Sequence, residues 1–442
     1  MGGEVMTVGT LRDDLLLMAV FMLIGFFVRE KIKLFQKLFL PSSLIGGLFL
    51  LILGQQGIHV VTVPESFSKL PGALTGIVLT SLVFGVTINK EKIRSYLDYS
   101  FITMTTYGMQ MGLGVLLGAV FQKIWKGLPD GWGVMGVFAF HGGHGTAAAA
   151  GAEFEKYGIF QNMAVGMVLS TLGLIVAMAV GMAVVNFGIR RGWGTYVKEP
   201  SKQPDYFYSG TLPEEKRTPV GKLVTAPISI NHLALQFAWL LGAFWFGKML
   251  FEFLGKFIPF FVTLPDVLYG ILGGAILWQI ICALKLEKYV DIKTIKLISS
   301  FLLEIIVFAA IATLDLEFVS IYIVPILIYT FILCSLSVLI ILVLSRKFLQ
   351  HEWFEKACMA IGAATGNTST GLALVRALDP ESKSSAGDNH GIYSTIMSWK
   401  DAFTGLTPLW LGSGIALTMG VGFGIMAISL ILAYVFAEKR SK

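Results

Sequence analysis

The sequence predicts an all-α polytopic membrane protein built from two inverted repeats, each with five transmembrane helices and one re-entrant hairpin. The composition is the first observation behind this prediction, because 55% of the 442 residues are hydrophobic and 14% are charged. A soluble protein carries about 25% charged residues. The second observation is the recurrence of apolar runs of about 20 residues, which are long enough to cross a bilayer. The third is a pair of related glycine-rich stretches.

The charge pattern indicates a membrane rather than nucleic acid. The formal net charge is +6, but the basic residues lie between the apolar runs, where they orient a chain in a bilayer. Cys282, Cys334 and Cys358 lie in or beside apolar runs and show no disulfide or zinc spacing. We expect no nucleic-acid partner and no organic cofactor. No basic segment with a cleavage site is present at the N-terminus, so we expect the first apolar run to be retained.

The two glycine-rich stretches occupy residues 139–151 and 363–371, and Gly142 is separated from Gly366 by 366 − 142 = 224 positions. At this offset the residues Met135, Ala139, Gly142 and Thr146 match Met359, Ala363, Gly366 and Thr370. Residues 40–48 match residues 264–272 at five positions, and Val83-Phe84 matches Val307-Phe308. Three separate windows at one offset indicate a duplicated unit.

The duplication predicts how the chain is divided. Each half contains five apolar runs and one interrupted segment, and an odd number of crossings gives the halves opposite orientations. We assign residues 11–192 to a first repeat with a re-entrant hairpin near 133–158. Residues 193–229 form a linker, and residues 230–438 form a second repeat with a re-entrant hairpin near 354–377. The register between the copies is lost after Gly371.

The distribution of lysine and arginine predicts the orientation. One set of alternate loops contains most of them, in clusters at 29–37, 90–94, 190–222, 285–296 and 346–356. The positive-inside rule makes this set cytoplasmic. The linker then lies in the cytoplasm and both termini face outwards. The first hairpin enters the membrane from outside and the second enters from inside.

The hairpin tips are the expected binding site. Backbone groups without partners cost several kcal/mol in lipid, so a broken helix persists only inside protein or beside a watery cavity. Glycine permits the turn and the close packing that such a break requires. The N–H groups at the start of a half-helix favour a carboxylate, whereas free carbonyl groups favour Na⁺. Close packing of ordinary helices explains one such stretch equally well, but two at one offset favour a transport site.

The segment Gly142-Gly143-His144-Gly145-Thr146, with the alanines at 147–150 and residues 153–158, resembles the sodium:glutamate symporter family. Residues 40–47 are also similar to that family, and the resemblance covers nearly the whole chain. It implies ten spanning helices, two re-entrant hairpins and a homodimer in a bacterial inner membrane. It also implies Na⁺-coupled uptake of glutamate by an elevator-type movement. The family carries a glutamine in the fourth span, to which Gln110 is similar.

The second hairpin departs from the family pattern. The family has Thr-Pro-Thr followed by Asn-Met, where this chain has Thr368-Ser369-Thr370 followed by Val375-Arg376. The extended polar segment 378–399 is also unusual. Coupling to sodium is therefore better supported than the identity of the substrate.

We predict a substrate site and a Na⁺ site at the two tips. The predicted substrate-binding residues are Gln110, Gly143, His144, Gly145, Thr146, Thr368, Ser369, Thr370 and Arg376. The predicted Na⁺-binding residues are Gly142, Gly143, Thr365, Gly366, Asn367 and Thr368.

Several polar residues have two interpretations each. Arg376 either binds a substrate carboxylate through its bidentate fork or belongs to a cytoplasmic interface. Gln110 either binds substrate or joins two helices. Glu304, in the middle of an apolar run, either holds a cation or proton or pairs with a lysine. His144 and His141 either touch the ligand or brace the hairpin.

The remaining polar positions are expected to be structural. Asn89 and Asp315 lie near the ends of apolar runs, so we expect both at interfaces. Lys400 and Asp401 are expected to form an ion pair at the head of the last helix.

The expected function is Na⁺-coupled transport of glutamate across the lipid bilayer. One alternative is a symporter of another organic anion, such as a di- or tricarboxylate, and another is an anion channel. We do not expect an enzyme, because the sequence contains no HExxH, no GxSxG and no phosphate-binding GxxxxGK[ST] motif.

Overall fold

The computed structural model describes residues 8–38, 40–83, 96–196, 213–217, 223–224, 228–258, 261, 266–379 and 383–437. The regular structure within these ranges is helical, so the all-α prediction is confirmed. Asn89 and the Leu264-Pro265 pair of the repeated motif lie outside the described residues.

The first half of the chain begins with long helices and contains one helix with an internal break. The helices are α1 (Val8–Lys31), α2 (Lys33–Lys37), α3 (Ser42–Leu53), α4 (Ser66–Val83), α5 (Leu97–Ile124), α6 (Met135–Lys156) and α7 (Asn162–Arg190). A 3₁₀ turn at Trp132–Val134 leads into α6.

The second half repeats this order and then continues further. Its helices are α8 (His232–Gly255), α9 (Asp266–Ala283), α10 (Ile292–Ala312), α11 (Leu316–Phe348), α12 (Trp353–Thr365), α13 (Thr368–Leu378), α14 (Ala386–Ile396), α15 (Phe403–Gly412) and α16 (Ile415–Val435). A 3₁₀ turn at Ser398–Ala402 joins α14 to α15.

Side-chain caps explain where several helices of the second half begin. The side chains of Asn231, Asp291 and Asp315 accept hydrogen bonds from backbone N–H groups in the first turns of α8, α10 and α11. Such caps satisfy donors that have no partner within the helix. Asp315 also accepts a hydrogen bond of 2.9 Å from the side chain of Gln161, so it joins α11 to the start of α7.

The lengths and compositions of the helices agree with a multi-pass membrane protein. Among the described residues, α5, α7, α8, α10, α11 and α16 are long and apolar enough to cross a bilayer. The shorter apolar helices are α3 and the Leu268–Ala283 part of α9. The count of ten spans stays a prediction.

The helix boundaries repeat at the same offset as the sequence windows. The end of α8 matches that of α1, since 255 − 31 = 224. The end of α11 matches that of α5, since 348 − 124 = 224. The start of α14 matches that of α7, since 386 − 162 = 224. The correspondence of helix boundaries therefore continues past the point at which the sequence register was lost.

The helices pack in two groups. In the first, which we call the α4/α10 group, α1 packs on α3, α8 packs on α9, and α10 packs on α3 and α4. In the second, which we call the hairpin group, α5 packs on α11 and α16, α6 packs on α7, and α12 packs on α13. The groups meet where α6 contacts α4 and α10.

The last helix, α16, packs antiparallel to α5 through glycines. A Cβ atom on Gly422 would lie 2.3 Å from the backbone nitrogen of Gly112, so the two backbones are in direct contact. At the end of α16, the ring of Phe436 stacks on Phe101 near the start of α5, with the ring centroids 5.7 Å apart. The end of α16 therefore lies beside the start of α5.

The start of α1 lies at the other end of the bundle. A series of side-chain contacts connects it to the end of α5: Ser66 with Asp14, Phe67 with Phe308, Gln161 with Asp315, Asn162 with Asp130, and Asp130 with Gln122. The two ends of the described chain therefore lie at opposite ends of the bundle. This arrangement differs from the expectation that both termini share one side.

Residues 386–412 are the physical reason for this difference. The backbone N–H of Ser385, just before α14, donates to Glu352 at the start of α12. Leu411, near the end of α15, lies against Gly131 beyond the end of α5. These residues thus run the length of the hairpin group, and α16 returns beside α5. The polar segment 378–399, for which we inferred no register, contains part of an additional passage through the bundle.

The glycine contact between α5 and α16 generates a first prediction. Replacing Gly422 with Val should destabilise the protein by about 1–3 kcal/mol, because the added atoms overlap the backbone of α5. The measurement is the midpoint of thermal unfolding in detergent. Gly424→Val is the matched control, since a Cβ atom at Gly424 has no atom within 4 Å. Equal midpoints for the two variants would contradict the packing of α16 on α5.

Candidate functional site

The first glycine-rich stretch contains a helix break at Gly143. Its backbone angles are φ 67° and ψ −162°, which interrupt α6. This region of backbone space is accessible essentially to glycine alone. The chain then reverses, since Gly131 before α6 lies against the ring of Phe154 near its end. The residues before and after Gly143 thus form two half-helices.

The second glycine-rich stretch breaks at Gly366 and Asn367. α12 ends at Thr365 and α13 begins at Thr368. The side chain of Asn367 accepts a hydrogen bond of 2.9 Å from the Thr370 backbone N–H, and the Thr370 hydroxyl accepts one from the Asn367 N–H. This capping box starts α13 directly after the break.

The two half-helices of the second stretch pack closely side by side. The Thr370 hydroxyl donates to the carbonyl of Gly362 at 2.8 Å, which ties the first turn of α13 to the last turns of α12. A Cβ atom on Gly362 would lie 2.5 Å from the Cα atom of Gly371, so no larger residue fits at this contact. The chain therefore folds back here as it does at Gly143.

The two breaks meet in the interior of the hairpin group. A Cβ atom on Gly143 would lie 3.8 Å from both the Cβ atom of Asn367 and the carbonyl oxygen of Gly366. Two half-helices end at this point, at Gly142 and Thr365, and two begin, at His144 and Thr368. Carbonyl groups from the ends and N–H groups from the starts are thus brought together. The positions of the two breaks agree with the sequence prediction.

Gln110 on α5 supports the second break. Its side-chain nitrogen donates to the Ser337 hydroxyl at 2.7 Å and to the Ala364 carbonyl at 2.8 Å. The residue is completely buried, and its side-chain oxygen has no hydrogen-bond partner among the described residues. Gln110 thus joins α5 to the end of α12 and offers one buried oxygen beside the break.

A cavity of about 780 Å³ lies next to the breaks, between the two helix groups. On the side of the hairpin group it is lined by His141, Gly142, Gly145, Thr146, Ala149, Met359, Thr368, Leu372, Gly387, His390, Gly391, Ser394, Lys400 and Asp401. On the side of the α4/α10 group it is lined by Thr75, Val78, Leu79, Ser81, Lys296, Ser299, Ser300, Leu303 and Ile306. The cavity therefore has one wall from each group.

The cavity is lined by hydroxyl groups and two histidines. His390 contacts the hydroxyl of Thr368 at 3.1 Å through Nε2 and the hydroxyl of Tyr99 at 3.0 Å through Nδ1. On the opposite wall the Ser81 hydroxyl donates to the Ser299 hydroxyl at 2.7 Å. These groups give both walls of the cavity polar atoms that suit a small polar ligand.

Of the predicted site residues, Gly142, Gly145, Thr146 and Thr368 line the cavity. Gly143, Thr365, Gly366, Asn367, Ser369 and Thr370 belong to the helix breaks or to the first turn after them. His144 is buried and contacts the Thr171 hydroxyl of α7 at 2.9 Å, which is the bracing interpretation given above.

Arg376 and Glu304 lie neither at the helix breaks nor in the lining of the cavity. Arg376 is half-buried in the last turn of α13, about two turns beyond the break, and it is absent from the lining. Glu304 is exposed on α10 and is also absent from the lining, although its neighbour Leu303 lines it. The interface interpretation therefore fits Arg376 better than direct contact with substrate.

Sequence reasoning placed Lys400 and Asp401 wrongly and did not identify His390. Lys400 and Asp401 form the expected ion pair, at 2.9 Å. They lie in the 3₁₀ turn between α14 and α15, whereas the last helix begins at Ile415. The missed signal was the offset of 224. It makes α14 the counterpart of α7 and so predicts a helical segment that crosses the bundle at these residues.

The base of the second hairpin is connected to the start of the linker. Glu355 accepts hydrogen bonds from the backbone N–H and hydroxyl of Thr195. Glu352 accepts hydrogen bonds from Ser385 and from the Tyr196 hydroxyl. Burial raises the pKa of Glu352, but the hydrogen bonds from Ser385 and Tyr196 outweigh that effect and lower it below the ordinary value. The carboxylate therefore remains ionised at neutral pH and holds these segments together.

The comparison with known families agrees with this geometry. Residues 8–373 match the family model described as sodium/glutamate symporter. The chain belongs to the sodium/glutamate symporter family. The members of this family are membrane transporters rather than enzymes, and the family implies Na⁺-coupled transport of glutamate. No curated protein matches the chain. The family match ends within α13, so α14, α15 and α16 lie beyond it.

The break at Gly143 generates a second prediction for this symporter. Gly143→Ala places a side chain at a backbone conformation that costs about 1–3 kcal/mol for residues other than glycine. The nearest atoms are 3.8 Å away, so the penalty comes from the backbone rather than from overlap. We expect a lower midpoint of thermal unfolding and reduced Na⁺-dependent uptake.

The matched control for this variant is Gly242→Ala on α8, where an added Cβ atom has no atom within 4 Å. It should keep the midpoint and the uptake rate of the unaltered protein. If both variants melt and transport alike, Gly143 does not hold the strained conformation on which the break depends.

Proposed function

We propose that the chain takes up glutamate together with Na⁺ by alternating access. The family match carries this proposal, and the observation within the molecule that supports it most is the meeting of two helix breaks beside a cavity. Broken helices at membrane depth are typical of secondary transporters, where their ends bind substrates and ions.

In this proposal the ends of the half-helices bind Na⁺. The carbonyl groups at Gly142, Thr365 and Gly366 lack continuing helices beyond them, and the hydroxyl of Thr368 and the amide of Asn367 lie at the same breaks. Sodium prefers such oxygen ligands, and unwound carbonyls coordinate it in other transporters. The unpartnered oxygen of Gln110 lies beside the same break and adds a neutral ligand.

The substrate occupies the adjacent cavity. The half-helices that begin at His144 and Thr368 direct N–H groups and the positive ends of their dipoles towards the breaks. Thr146 and Thr368 add hydroxyl groups that line the cavity itself. A carboxylate bound at this place is therefore close to both Na⁺ and the helix starts, which provides coupling between the ion and the substrate.

The division into two helix groups supports an elevator-type movement. The cavity lies at their boundary, with the hairpins on one wall and α4 and α10 on the other. Gly145 lies against Leu303 of α10, where the absence of a side chain leaves a smooth contact. We propose that the hairpin group, with its bound substrate, moves along the α4/α10 group. Re-entrant entry of the two hairpins from opposite faces belongs to the same proposal.

The membrane arrangement of the whole protein is also a proposal. The shared offset of the helix boundaries supports an inverted repeat, and the basic loops support a cytoplasmic linker. The end of α16 is then cytoplasmic, because it lies beside the start of α5, and the start of α1 faces outwards. The homodimer and the bacterial inner membrane are implied by the family resemblance.

Uptake into proteoliposomes tests the proposed function and is the third prediction. An inward Na⁺ gradient should drive glutamate to a concentration above that outside, and collapse of the gradient should release it. An anion channel would equilibrate glutamate without Na⁺, so equal uptake in potassium and sodium buffers would overturn symport. Competition by unlabelled di- and tricarboxylates then separates glutamate transport from transport of another organic anion.

A further inference from the structure

The 3₁₀ turn at Ser398–Ala402 places two charges where the first repeat has none. Lys400 and Asp401 correspond to Val176 and Ala177 at the offset of 224, since 400 − 224 = 176 and 401 − 224 = 177. α7 runs unbroken through those positions, whereas its counterpart is interrupted there. The second repeat thus carries an ion pair at the wall of the cavity, in the part of the chain beyond the family match.

The surroundings hold this ion pair at the cavity. The Nζ atom of Lys400 lies 2.9 Å from Asp401 Oδ1, and the two side chains are 10% and 18% exposed. The ammonium group also lies 5.7 Å from the ring centroid of Tyr107 and 5.9 Å from that of Tyr393, where cation–π attraction helps to retain it. The Tyr107 hydroxyl donates to the Lys400 carbonyl at 3.3 Å, which fixes the turn itself.

The charged groups that line the cavity match the ionic groups of an acidic amino acid. Among the described residues, the charged lining side chains are Lys400 and Asp401 on the hairpin group and Lys296 on α10. Glutamate carries two carboxylates and one ammonium group, which is the complement of two lysines and one aspartate. A simple dicarboxylate leaves the aspartate opposed to negative charge, and a neutral amino acid leaves one lysine without a carboxylate.

We propose that Lys400 and Asp401 give up their mutual ion pair when substrate binds, and that each then binds a charged group of the substrate head group. Lys400 then binds the α-carboxylate, Asp401 binds the α-ammonium, and Lys296 on the opposite wall binds the distal carboxylate. This inference rests on the proposed function and assigns the residues of its cavity that recognise the three charged groups of glutamate. The exchange replaces one ion pair with two, so each buried charge has a partner in both the free and the bound state.

The bridge to Lys296 also connects the two helix groups. Lys400 and Asp401 belong to the hairpin group, and Lys296 belongs to α10. A substrate with carboxylates at both ends thus contacts both walls of the cavity, whereas a substrate with one carboxylate contacts only the hairpin group. Selection for an acidic side chain then depends on residues of both walls rather than on one helix group.

Competition binding on the purified full-length protein in Na⁺ buffer tests the assignment. The competitors are L-glutamate, glutarate, which lacks the ammonium group, and L-glutamine, which lacks the distal carboxylate. We expect Asp401→Asn to abolish the preference for glutamate over glutarate and Lys296→Gln to abolish the preference for glutamate over glutamine. Lys400→Gln should weaken all three competitors by about tenfold or more, and Lys400→Arg should restore part of the loss.

Two matched variants serve as controls for charge alone. Lys293→Gln removes an exposed lysine from the first turn of α10, and Asp388→Asn removes an exposed carboxylate from α14. Neither residue lines the cavity, so both variants should keep the selectivity of the unaltered protein. The double variant Lys400→Gln with Asp401→Asn removes both members of the pair and avoids an isolated buried charge. It should melt like the unaltered protein and fail to bind glutamate.

The outcomes separate the inference from the function on which it rests. If the unaltered protein binds no glutamate in Na⁺, the proposed function and this inference are both overturned. If it binds glutamate and the variants keep its order of preference, the substrate assignment of Lys400, Asp401 and Lys296 alone is overturned. Glutamate binding by the stably folded double variant likewise excludes the exchange of partners.

Discussion

The structure depends on the shielding of backbone groups at two helix breaks. A broken helix exposes N–H and carbonyl groups that lipid cannot satisfy. Here the breaks at Gly143 and at Gly366–Asn367 lie against each other, and Gln110 satisfies the carbonyl of Ala364. The Asn367 cap satisfies one donor of α13. Gly142 and Thr368 at these breaks line the cavity, which the proposed function assigns to an ion and a polar substrate. The same two helix breaks therefore affect the stability of the protein and, in the proposed function, its transport activity.

The sequence predicted the breaks and the apolar helices because both leave local signals. Gly143 and Gly366 stand out in apolar surroundings, and hydropathy alone identifies the long helices. The position of Lys400, the role of His390 and the end at which α16 finishes were not predicted. Residues 378–399 are polar enough to resemble a loop, and only packing against α5, α12 and α13 makes them part of the bundle. The direction in which Arg376 points is likewise a property of packing.

The two repeats share helix boundaries but differ in chemistry. α7 is one unbroken helix of 29 residues, whereas its counterpart divides into α14, a 3₁₀ turn and α15. The interruption places Lys400 and Asp401 at the wall of the cavity. A symmetric pair of breaks thus supplies oxygen and N–H ligands from both halves, and the charged groups on the hairpin side come from one half alone. If the halves arose by the proposed duplication, the helices that they share are the scaffold, and the residues that differ between them place the charges at the cavity.

The contact between Gly143 and Asn367 also has a consequence for biosynthesis. The two residues are 367 − 143 = 224 positions apart, so the first break is made long before its partner exists. At about 5–20 residues per second, translation takes roughly 10–45 s to reach the second break. During that interval the helix break at Gly143 can be shielded only by residues that have already been synthesised. The contact of His144 with α7 is one example. The first half of the chain therefore has to be stable in the membrane before the second half has been synthesised.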